Sequence, residues 1–146
     1  MNKKVLIKSS ILLFIFFFSF ACSTDKDNKG AELKQISSKE LKEKISKQEE
    51  EFTLIDLRSK EKFHKENIQG AVNIPIDSLK SKIADEDFWM EQYLYPPEDS
   101  TQIIVYGADE QSGVLGTQEL MKVGFKNVSY LKGGYNSYNI KRDKLM

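Results

Sequence analysis

The sequence predicts one α/β domain with a mostly parallel central sheet and helices on both faces. Short apolar segments alternate with amphipathic segments of helical periodicity, and turn residues separate them. Strands that alternate with helices of this length form parallel sheets that are covered on both faces. Of the 146 residues, 40% are hydrophobic and 30% are charged, a globular composition, and this length suits one domain plus an appendage.

The first predicted elements are a capped helix and a buried strand. Ser37 is a suitable N-cap with Glu40 three residues later, as in a capping box, and Ile36 and Leu41 can pack together across the helix start. The apolar run FTLIDLR, from Phe52, predicts a buried strand that ends in charged residues. A helix and a strand therefore open the domain.

The middle of the chain predicts two helices around a second strand. SKEKFHKE reads as a short helix capped by Ser59, and AVNIPI reads as a strand that Pro75 stops. The segment Ser78 to Pro97 predicts one helix that its two prolines end. We interpret its aromatic residues as core rather than as a docking patch; they are Trp89, Tyr93 and Tyr95.

The last elements are the clearest. QIIVY is the most apolar predicted strand, GVLGTQELMKVG predicts a helix with Gly124 as its C-terminal cap, and NVSYL predicts a final strand. Residues at the carboxyl ends of parallel strands meet at one edge of a sheet. We therefore expect Asp56 to lie beside the turn from Gly107 to Ser112.

Residues 1–21 predict a lipoprotein signal peptide. A basic start, MNKKVLIK, precedes the apolar run SSILLFIFFFSF, and a small residue stands before Cys22. SFAC resembles the lipobox of bacterial lipoproteins, although Ser19 occupies a place where that family usually has Leu. The resemblance implies that Cys22 carries lipid, that residues 22–30 form a lipidated linker, and that the protein is anchored in a bacterial cell envelope outside the cytoplasm, at the periplasmic face or the outer membrane. The alternative is a retained N-terminal anchor helix.

Two motifs give the domain a family resemblance. LIDLRSKEKFHKENIQGAVNIP resembles the rhodanese-like pattern D-x-R, an acid and an aromatic, then G-H-I-P-G-A-x-N-I-P. IIVYGADEQSGVLGTQELMKVGFKNVSYLKGG resembles the family's strand, active-site loop, helix, G-F-x-N-V and Gly-Gly. The resemblance implies a single rhodanese-like domain over residues 31–142. Asp56 and Arg58 then correspond to residues that support the loop.

The departures from this family pattern fall in the loop. Active members have a sulfur-accepting cysteine where this chain has Gly107, and its one cysteine is Cys22. They often have Arg where this chain has Ser112, and the acidic Asp109 and Glu110 disfavour an anionic sulfur donor. The residues interpreted as a degenerate active-site loop are Gly107, Ala108, Asp109, Glu110, Gln111 and Ser112. We favour Asp109 or Ser112 as a cap of the following helix over a role in contacting a ligand, although the two roles are compatible.

These departures predict that the protein is not an enzyme. The first functional hypothesis is a membrane-tethered, catalytically inactive binding or regulatory module in the envelope, whose partners are the membrane through lipid on Cys22 and an envelope protein or cationic peptide. One alternative is a sulfurtransferase or sulfur-carrier partner that uses a thiol supplied by another protein. Another is a structural subunit of an envelope complex.

Composition and the remaining polar residues restrict other functions. Basic and acidic residues balance at 22 each, which disfavours nucleic acid as a partner. His64 is the one histidine and has no Cys or carboxylate at metal-ligand spacing. We therefore expect neither a metal nor a cofactor.

Overall fold

The computed structural model describes residues 33–47 and 52–139, which contain a five-stranded sheet in the order β1-β5-β4-β2-β3. All four strand pairs are parallel. The strands are β1 Lys34–Ile36, β2 Phe52–Asp56, β3 Ala71–Asn73, β4 Gln102–Tyr106 and β5 Val128–Leu131. The predicted α/β fold with a central parallel sheet is confirmed.

The helices lie around the sheet in two groups. They are α1 Ser38–Lys47, α2 Lys60–Lys65, α3 Leu79–Lys82, α4 Glu86–Glu91, α5 Glu110–Lys122 and α6 Gly134–Asn139, with a 3-10 turn at Ile76–Ser78. Residues of α3, α4 and α5 share one buried cluster with the sheet, and residues of α1 and α6 share the other. The two faces of the sheet therefore carry separate cores.

Strand β4 shows how one sequence supplies both cores. Its side chains alternate between the faces, as they must in a strand. Ile103 and Val105 belong to the cluster with α5, whereas Ile104 and Tyr106 belong to the cluster with α1 and α6. All four are fully buried, which explains why this central strand is the most apolar segment of the domain.

The predicted capping box begins α1. The backbone N–H of Ser37 donates to Glu40 Oε2 at 2.8 Å, and the Glu40 N–H donates to Ser37 Oγ at 3.2 Å. The two residues thus satisfy each other's backbone donors. The hydrogen bonds from Ser37 are also the main cause of the lowered pKa of Glu40.

The single helix predicted between Ser78 and Pro97 is wrong. The segment forms α3 and α4, and residues beyond Gln92 leave the helix. Asp85 interrupts it, because its side chain accepts from the Phe88 N–H and starts α4 as an N-cap. The indole of Trp89 donates to the Ile83 carbonyl at 2.9 Å and so satisfies the end of α3.

The aromatic residues of this segment also divide. Trp89 is in the core, as expected, but Tyr93 and Tyr95 are 97% and 89% exposed. The interpretation of all three as core residues is therefore wrong for the two tyrosines. Because the chain leaves α4 after Glu91, the helical periodicity that would have turned the tyrosines inward no longer applies.

Two short elements had no clear signal in the sequence. Strand β1 pairs with β5 at one edge of the sheet, and two of its three residues are exposed. Helix α6 has the sequence GYNSYN, whose Gly, Asn and Ser residues are poor helix formers. Both elements depend on tertiary contacts rather than on local propensity.

Several predictions fall on residues that the structure does not describe. They are the signal peptide at 1–21, the linker at 22–30 and the lipidation of Cys22. These remain predictions, as do the domain limits of 31 and 142. No helix within 33–47 or 52–139 has the length and apolar character needed to cross a membrane.

Candidate functional site

The carboxyl ends of β2 and β4 bring the predicted site residues together. Asp56 ends β2 and lies beside Tyr106, which ends β4. The Leu57 N–H donates to the Tyr106 carbonyl at 2.8 Å, so the two chains leave the sheet side by side. As expected, Asp56 therefore lies next to the start of the loop at Gly107.

Beneath the loop, Asp56 and Arg58 form a buried ion pair. The Arg58 Nε donates to both Asp56 carboxylate oxygens at 3.0 and 3.1 Å, and its Nη2 donates to Oδ2 at 2.7 Å. The backbone N–H of Arg58 adds a fourth bond at 2.9 Å. Both side chains are excluded from solvent. Such charges are tolerated inside a protein when they are paired and fully hydrogen-bonded.

Two tyrosines and a backbone carbonyl complete the surroundings of Arg58. Its guanidinium lies 3.7 Å from the ring centre of Tyr135 and 5.6 Å from that of Tyr106. Its Nη2 also donates to the Glu66 carbonyl at 2.7 Å. We call Asp56, Arg58, Tyr106 and Tyr135 the Arg58 network.

The pKa values of two residues of the network, Arg58 and Tyr106, are both raised. Burial alone lowers the pKa of Arg58, but hydrogen bonds with Asp56 outweigh this effect and raise it. Burial raises the pKa of Tyr106 far above its ordinary value, so its phenol stays neutral. That phenol oxygen accepts from the Ile68 N–H at 3.2 Å. The network is thus a buried support built around one ion pair.

The loop backbone is fixed by the start of α6. The Tyr135 N–H donates to the Gly107 carbonyl at 2.9 Å, and the Asn136 N–H donates to the Ala108 carbonyl at 3.2 Å. Gly134 adopts a φ of +60°, and a Cβ there would lie 2.6 Å from the Asp109 carbonyl group. Glycine is therefore required where α6 meets the loop.

Gly107 leaves no room for a side chain. A Cβ built at this position would collide with the Ser112 Cβ and would lie 3.1 Å from Ser112 Oγ. Ser112 therefore fills the space above Gly107, which we call the loop mouth. A residue larger than glycine at position 107 requires a shift of Ser112.

The two acidic residues of the loop accept hydrogen bonds from nearby backbone. Asp109 is the N-cap of α5, because its Oδ1 accepts from the Ser112 N–H at 2.9 Å and from Ser112 Oγ at 2.8 Å. These bonds, led by the one from the Ser112 backbone, lower the pKa of Asp109. The Glu110 carboxylate accepts from the Gly133 N–H at 3.1 Å. Both acids thus help to build the loop.

The remaining predicted residues differ in exposure. Ala108 is half-buried, whereas Gln111 is exposed on the first turn of α5. His64 is exposed on α2, where its ring meets that of Phe63 edge-on. Within the described parts of the chain, no group of three or more His, Cys, Asp or Glu residues could hold a metal ion.

Sequence reasoning missed several residues that shape the site. Tyr135 stacks on Tyr106 with ring centres 6.1 Å apart, and its hydroxyl donates to Glu66 Oε2 at 3.1 Å. Asn73 Nδ2 donates to the carbonyls of Asp56 and Arg58 at 3.0 and 2.8 Å. The Gly-Gly pair before Tyr135 was the available signal, since adjacent glycines mark a close backbone approach.

Comparison with known proteins places the chain among sulfurtransferase folds. A family model described as "Rhodanese-like domain" matches residues 37–141. The human single-domain sulfurtransferase TSTD1 superposes with a TM-score of 0.66 at 24% identity, covering 73% of this chain and 96% of its own. The Alr3790 protein of Anabaena sp. gives a TM-score of 0.63 at 27% identity, over 73% of this chain and 77% of its own.

Curated relatives carry a name that includes sulfur transfer. The "Adenylyltransferase and sulfurtransferase UBA4" of Meyerozyma guilliermondii is 37% identical over 89 residues, which are 60% of this chain and 20% of the relative. The protein of the same name in Lodderomyces elongisporus is 29% identical over 128 residues, or 86% of this chain and 28% of the relative. The chain thus spans a fifth to somewhat over a quarter of the length of these relatives.

These comparisons correct the functional prediction. The expected inactive binding or regulatory module, and the expectation that the protein is not an enzyme, are wrong because the curated relatives are named as sulfurtransferases. The findings favour the alternative of a sulfurtransferase or sulfur-carrier partner. They do not support the alternative of a structural subunit.

The predicted location is corrected on the same ground. Anchoring in a bacterial cell envelope followed from the resemblance of the first 22 residues to a lipoprotein signal. The matching relatives are instead named for adenylyl and sulfur transfer. The envelope assignment is therefore wrong, and the partners expected at a membrane remain untested.

Proposed function

Because the chain belongs to the rhodanese-like domain family, we propose that it takes part in sulfur transfer with a thiol supplied by another protein. One observation carries this proposal: the residue that follows β4 is Gly107, in a chain whose one cysteine is Cys22. Sulfur transfer through a persulfide needs a thiolate at the loop. The chain has no sulfur at that position, so a partner provides it.

The loop offers such a partner backbone donors. The first turn of a helix has N–H groups without helical acceptors, and in α5 the Asp109 side chain satisfies that of Ser112. Among the residues that the structure describes, the N–H groups of Glu110 and Gln111 have no acceptor, so they remain for an external one. With the positive end of the helix dipole they favour an anionic sulfur atom.

The charges at the loop are compatible with an approaching persulfide. Asp109 and Glu110 accept hydrogen bonds from backbone N–H groups, which offsets part of their negative charge. Lys62 lies close enough to favour the charged form of Asp109. The repulsion expected from the acidic residues in the sequence is thereby reduced.

The proposed reaction moves one sulfur atom without net oxidation. The partner's cysteine carries an outer sulfur as a persulfide. An acceptor thiolate attacks that outer sulfur, a new S–S bond forms, and the bond to the cysteine sulfur breaks. The partner leaves as a thiolate, whose charge the N–H groups of Glu110 and Gln111 stabilise. The acceptor now holds the persulfide.

A persulfidated peptide tests the proposal directly. A synthetic peptide with one cysteine persulfide is mixed with dithiothreitol, which takes the outer sulfur and releases it as sulfide while its two thiols form a disulfide. We expect the purified full chain to accelerate sulfide release about tenfold over the reaction without protein, which corresponds to about 1.4 kcal/mol of barrier. The rate should saturate with peptide concentration.

Three variants locate the transfer. Cys22→Ser should leave the rate unchanged, since the thiol comes from the peptide. Ser112→Gly opens the loop mouth and should raise the rate, whereas Ser112→Ala keeps the Cβ in place and should not. No acceleration by the wild-type chain, or loss of activity in Cys22→Ser, would contradict the proposal.

A further inference from the structure

The segment that follows α4 places large apolar side chains in solvent. Tyr93 and Tyr95 are almost fully exposed, and Leu94 between them is exposed as well. Met90, in the last turn of α4, adds a fourth exposed side chain. Single exposed apolar residues are ordinary on protein surfaces, whereas several in one short segment are typical of an interaction site.

Tyr93 occupies a backbone position that usually belongs to glycine. The Leu94 N–H donates to the Trp89 carbonyl at 3.0 Å, and the Tyr93 N–H donates to the Met90 carbonyl at 2.9 Å. This pair of hydrogen bonds is the Schellman motif, which ends a helix with one residue in the left-handed conformation. Tyr93 is that residue, with a φ of +58°. Glycine is favoured there because it has no Cβ to oppose a positive φ.

The tyrosine at this position does not stabilise the domain through its ring. Its left-handed backbone is unfavourable for a residue with a Cβ, and its exposure leaves no buried apolar area to compensate. Within the described residues, neither Tyr93 nor Tyr95 forms a hydrogen bond through its hydroxyl or a contact between rings. A strained residue that the domain itself does not use supports a hypothesis of function.

The backbone that carries the two tyrosines is ordered at both ends. The hydrogen bond from the Leu94 N–H to α4 fixes its start, and the Thr101 N–H donates to the Glu98 carbonyl at 2.9 Å at its end. Tyr95 precedes two prolines, and a residue before proline is restricted to extended conformations. A surface that is ordered before binding loses less entropy when a partner arrives.

The exposed face of α4 is acidic. Glu86 and Met90 are four residues apart, as are Asp87 and Glu91, so these side chains lie together on the helix. All four are exposed, and within the described residues none of the three carboxylates forms an ion pair. We call this face, together with residues 93–95, the Tyr93 surface.

The positive charge next to the Tyr93 surface is smaller than its negative charge. Residues 83–121 contain no lysine, arginine or histidine. Lys82, at the end of α3, lies with its Nζ 2.7 Å from Asp85 Oδ2, and the charges of Asp87 and Glu91 also act on it. One lysine cannot balance all of these carboxylates, so the surface stays negative.

Other cations in the neighbourhood have acidic residues of their own beside them. They are Lys80 with Glu119, Lys60 and His64 with Glu61, and Lys126 with Asp99. Lys60 and His64 belong to α2, which lies across a groove along β3 from Leu94. These cations therefore leave the charge of the exposed face of α4 largely uncompensated.

Carboxylates beside exposed tyrosine rings suit guanidinium groups. A guanidinium can donate two parallel hydrogen bonds to a carboxylate, and its flat face stacks on an aromatic ring. The interior of the domain contains this combination, because Arg58 pairs with Asp56 and lies 3.7 Å from the ring centre of Tyr135. The Tyr93 surface offers the same kinds of group to solvent.

We infer that the Tyr93 surface binds an arginine-rich segment of a partner protein. Guanidinium groups of the segment pair with the carboxylates of α4 and stack on the rings of Tyr93 and Tyr95. Charge complementarity selects this occupant over an acidic segment, and binding gives a role to the tyrosine in a glycine position. The inference goes beyond sulfur transfer, and its test requires no sulfur.

Designed peptides test the inference with the full chain. The probe is a fluorescein-labelled octapeptide of alternating Arg and Ser, blocked at both ends, and fluorescence anisotropy reports its binding. We expect saturable binding that is at least about tenfold tighter than for the matched Glu and Ser peptide. Binding should also be at least about threefold tighter than for the Lys and Ser peptide, because an ammonium group neither pairs at two points nor stacks flat.

Tyr93→Gly separates binding from folding. The thermal unfolding midpoint should stay unchanged or rise, because glycine suits the left-handed turn. Affinity for the Arg peptide should nevertheless fall about threefold, and Tyr93→Gly combined with Tyr95→Ser should lower it about tenfold or more. The control is Leu115→Ser, which changes an exposed apolar residue of α5 and should alter affinity less than about twofold.

A second pair of variants tests the charges. Asp87→Asn combined with Glu91→Gln should weaken binding of the Arg peptide about tenfold and reduce its dependence on salt. The matched control is Glu43→Gln combined with Glu61→Gln, which removes the same charge from exposed residues of α1 and α2. That control should alter affinity less than about twofold. Far-UV circular dichroism checks that every variant is folded.

Several outcomes would overturn the inference. These are absence of binding at millimolar peptide, equal affinity for the Lys or the Glu peptide, or undiminished binding by the variant that lacks both tyrosines. Sedimentation of the full chain provides a further check. Self-association that Tyr93→Gly abolishes would assign the surface to a second copy of the chain instead. Because none of these assays contains sulfur, their failure leaves the sulfur-transfer test intact.

Discussion

The Arg58 network and the loop above it are neighbours, but different interactions hold them in place. In the network, the two charges are buried and paired through three side-chain hydrogen bonds, and the Arg58 backbone N–H adds a fourth. In the loop, Gly107 has no side chain and Ser112 fills the space above it. The network is held by paired charges inside the protein, whereas the loop above it is held by backbone contacts and by the close approach of Ser112 to Gly107. The two regions can therefore be perturbed separately by mutation.

The largest expected effect comes from breaking the network. Arg58→Ala leaves the Asp56 carboxylate buried without its partner, and the Arg58 side chain it removes is 7% exposed. We expect the free energy of unfolding to fall by about 3–5 kcal/mol, measured by urea denaturation. A matched loss of charge at the exposed Lys126, by Lys126→Ala, should cost much less. Equal costs for the two variants would show that burial of the pair is unimportant.

A smaller effect is expected where α6 meets the loop. At Gly134 the φ is +60°, and a Cβ would lie 2.6 Å from the Asp109 carbonyl. We therefore expect Gly134→Ala to lower the free energy of unfolding by about 1–3 kcal/mol. Gly70→Ala is a matched control, because Gly70 has a φ of +83° but no atom within 4 Å of its Cβ. Chemical denaturation compares the two. A cost for Gly134→Ala no greater than for Gly70→Ala would mean that the loop contact imposes no constraint.

A double-mutant cycle examines the loop mouth itself. Gly107→Ala should destabilise the fold by about 1–2 kcal/mol, since its Cβ collides with Ser112. In a Ser112→Gly background the same change should cost less, giving a coupling energy of about 0.5–1.5 kcal/mol. Additive costs in the cycle would contradict the placement of Ser112 above Gly107.

The smallest effect concerns the helix cap. Asp109→Ala removes the acceptor for the Ser112 N–H and should lower the thermal unfolding midpoint at pH 7 by a few degrees. The pKa of Asp109 is depressed in the folded protein, so its stabilisation is present above the unfolded pKa of about 3.9 and is lost as the pH falls through the folded pKa. The difference between wild type and variant should therefore shrink below about pH 4. A difference that persists at pH 2 would exclude the carboxylate as its cause.

The sequence predicted the support better than the loop. Asp56 could be placed beside Gly107 because carboxyl ends of parallel strands meet at one edge, and alternating strands and helices predicted the sheet. The contact between Ser112 and Gly107 depends on the path of the loop backbone. The approach of Tyr135 depends on α6, which has no propensity signal. Neither follows from residue types alone.

The division of the predicted helix between Ser78 and Pro97 shows a similar limit. Its apolar positions suit one helix, but Asp85 is a strong N-cap and starts a new helix within the segment. A cap inside an amphipathic run competes with helix continuation, and the indole hydrogen bond from Trp89 to the Ile83 carbonyl supports the end of α3. The exposed surface at Tyr93 and Tyr95 follows instead from the end of α4 at Glu91.

The two hydrogen bonds from α6 to the loop can form only late in synthesis, because their donors follow their acceptors in the chain. A chain made from its N-terminus has β2, β3 and β4 available for pairing well before Tyr135 and Asn136 leave the ribosome. At that stage the Gly107 and Ala108 carbonyls lack their donors, and β1 has no partner strand until β5 has been made. A nascent chain stalled before Gly134 would thus contain most of the sheet, but its loop would lack the two hydrogen bonds from α6. The geometry at Gly107 is among the last features of the domain to be completed.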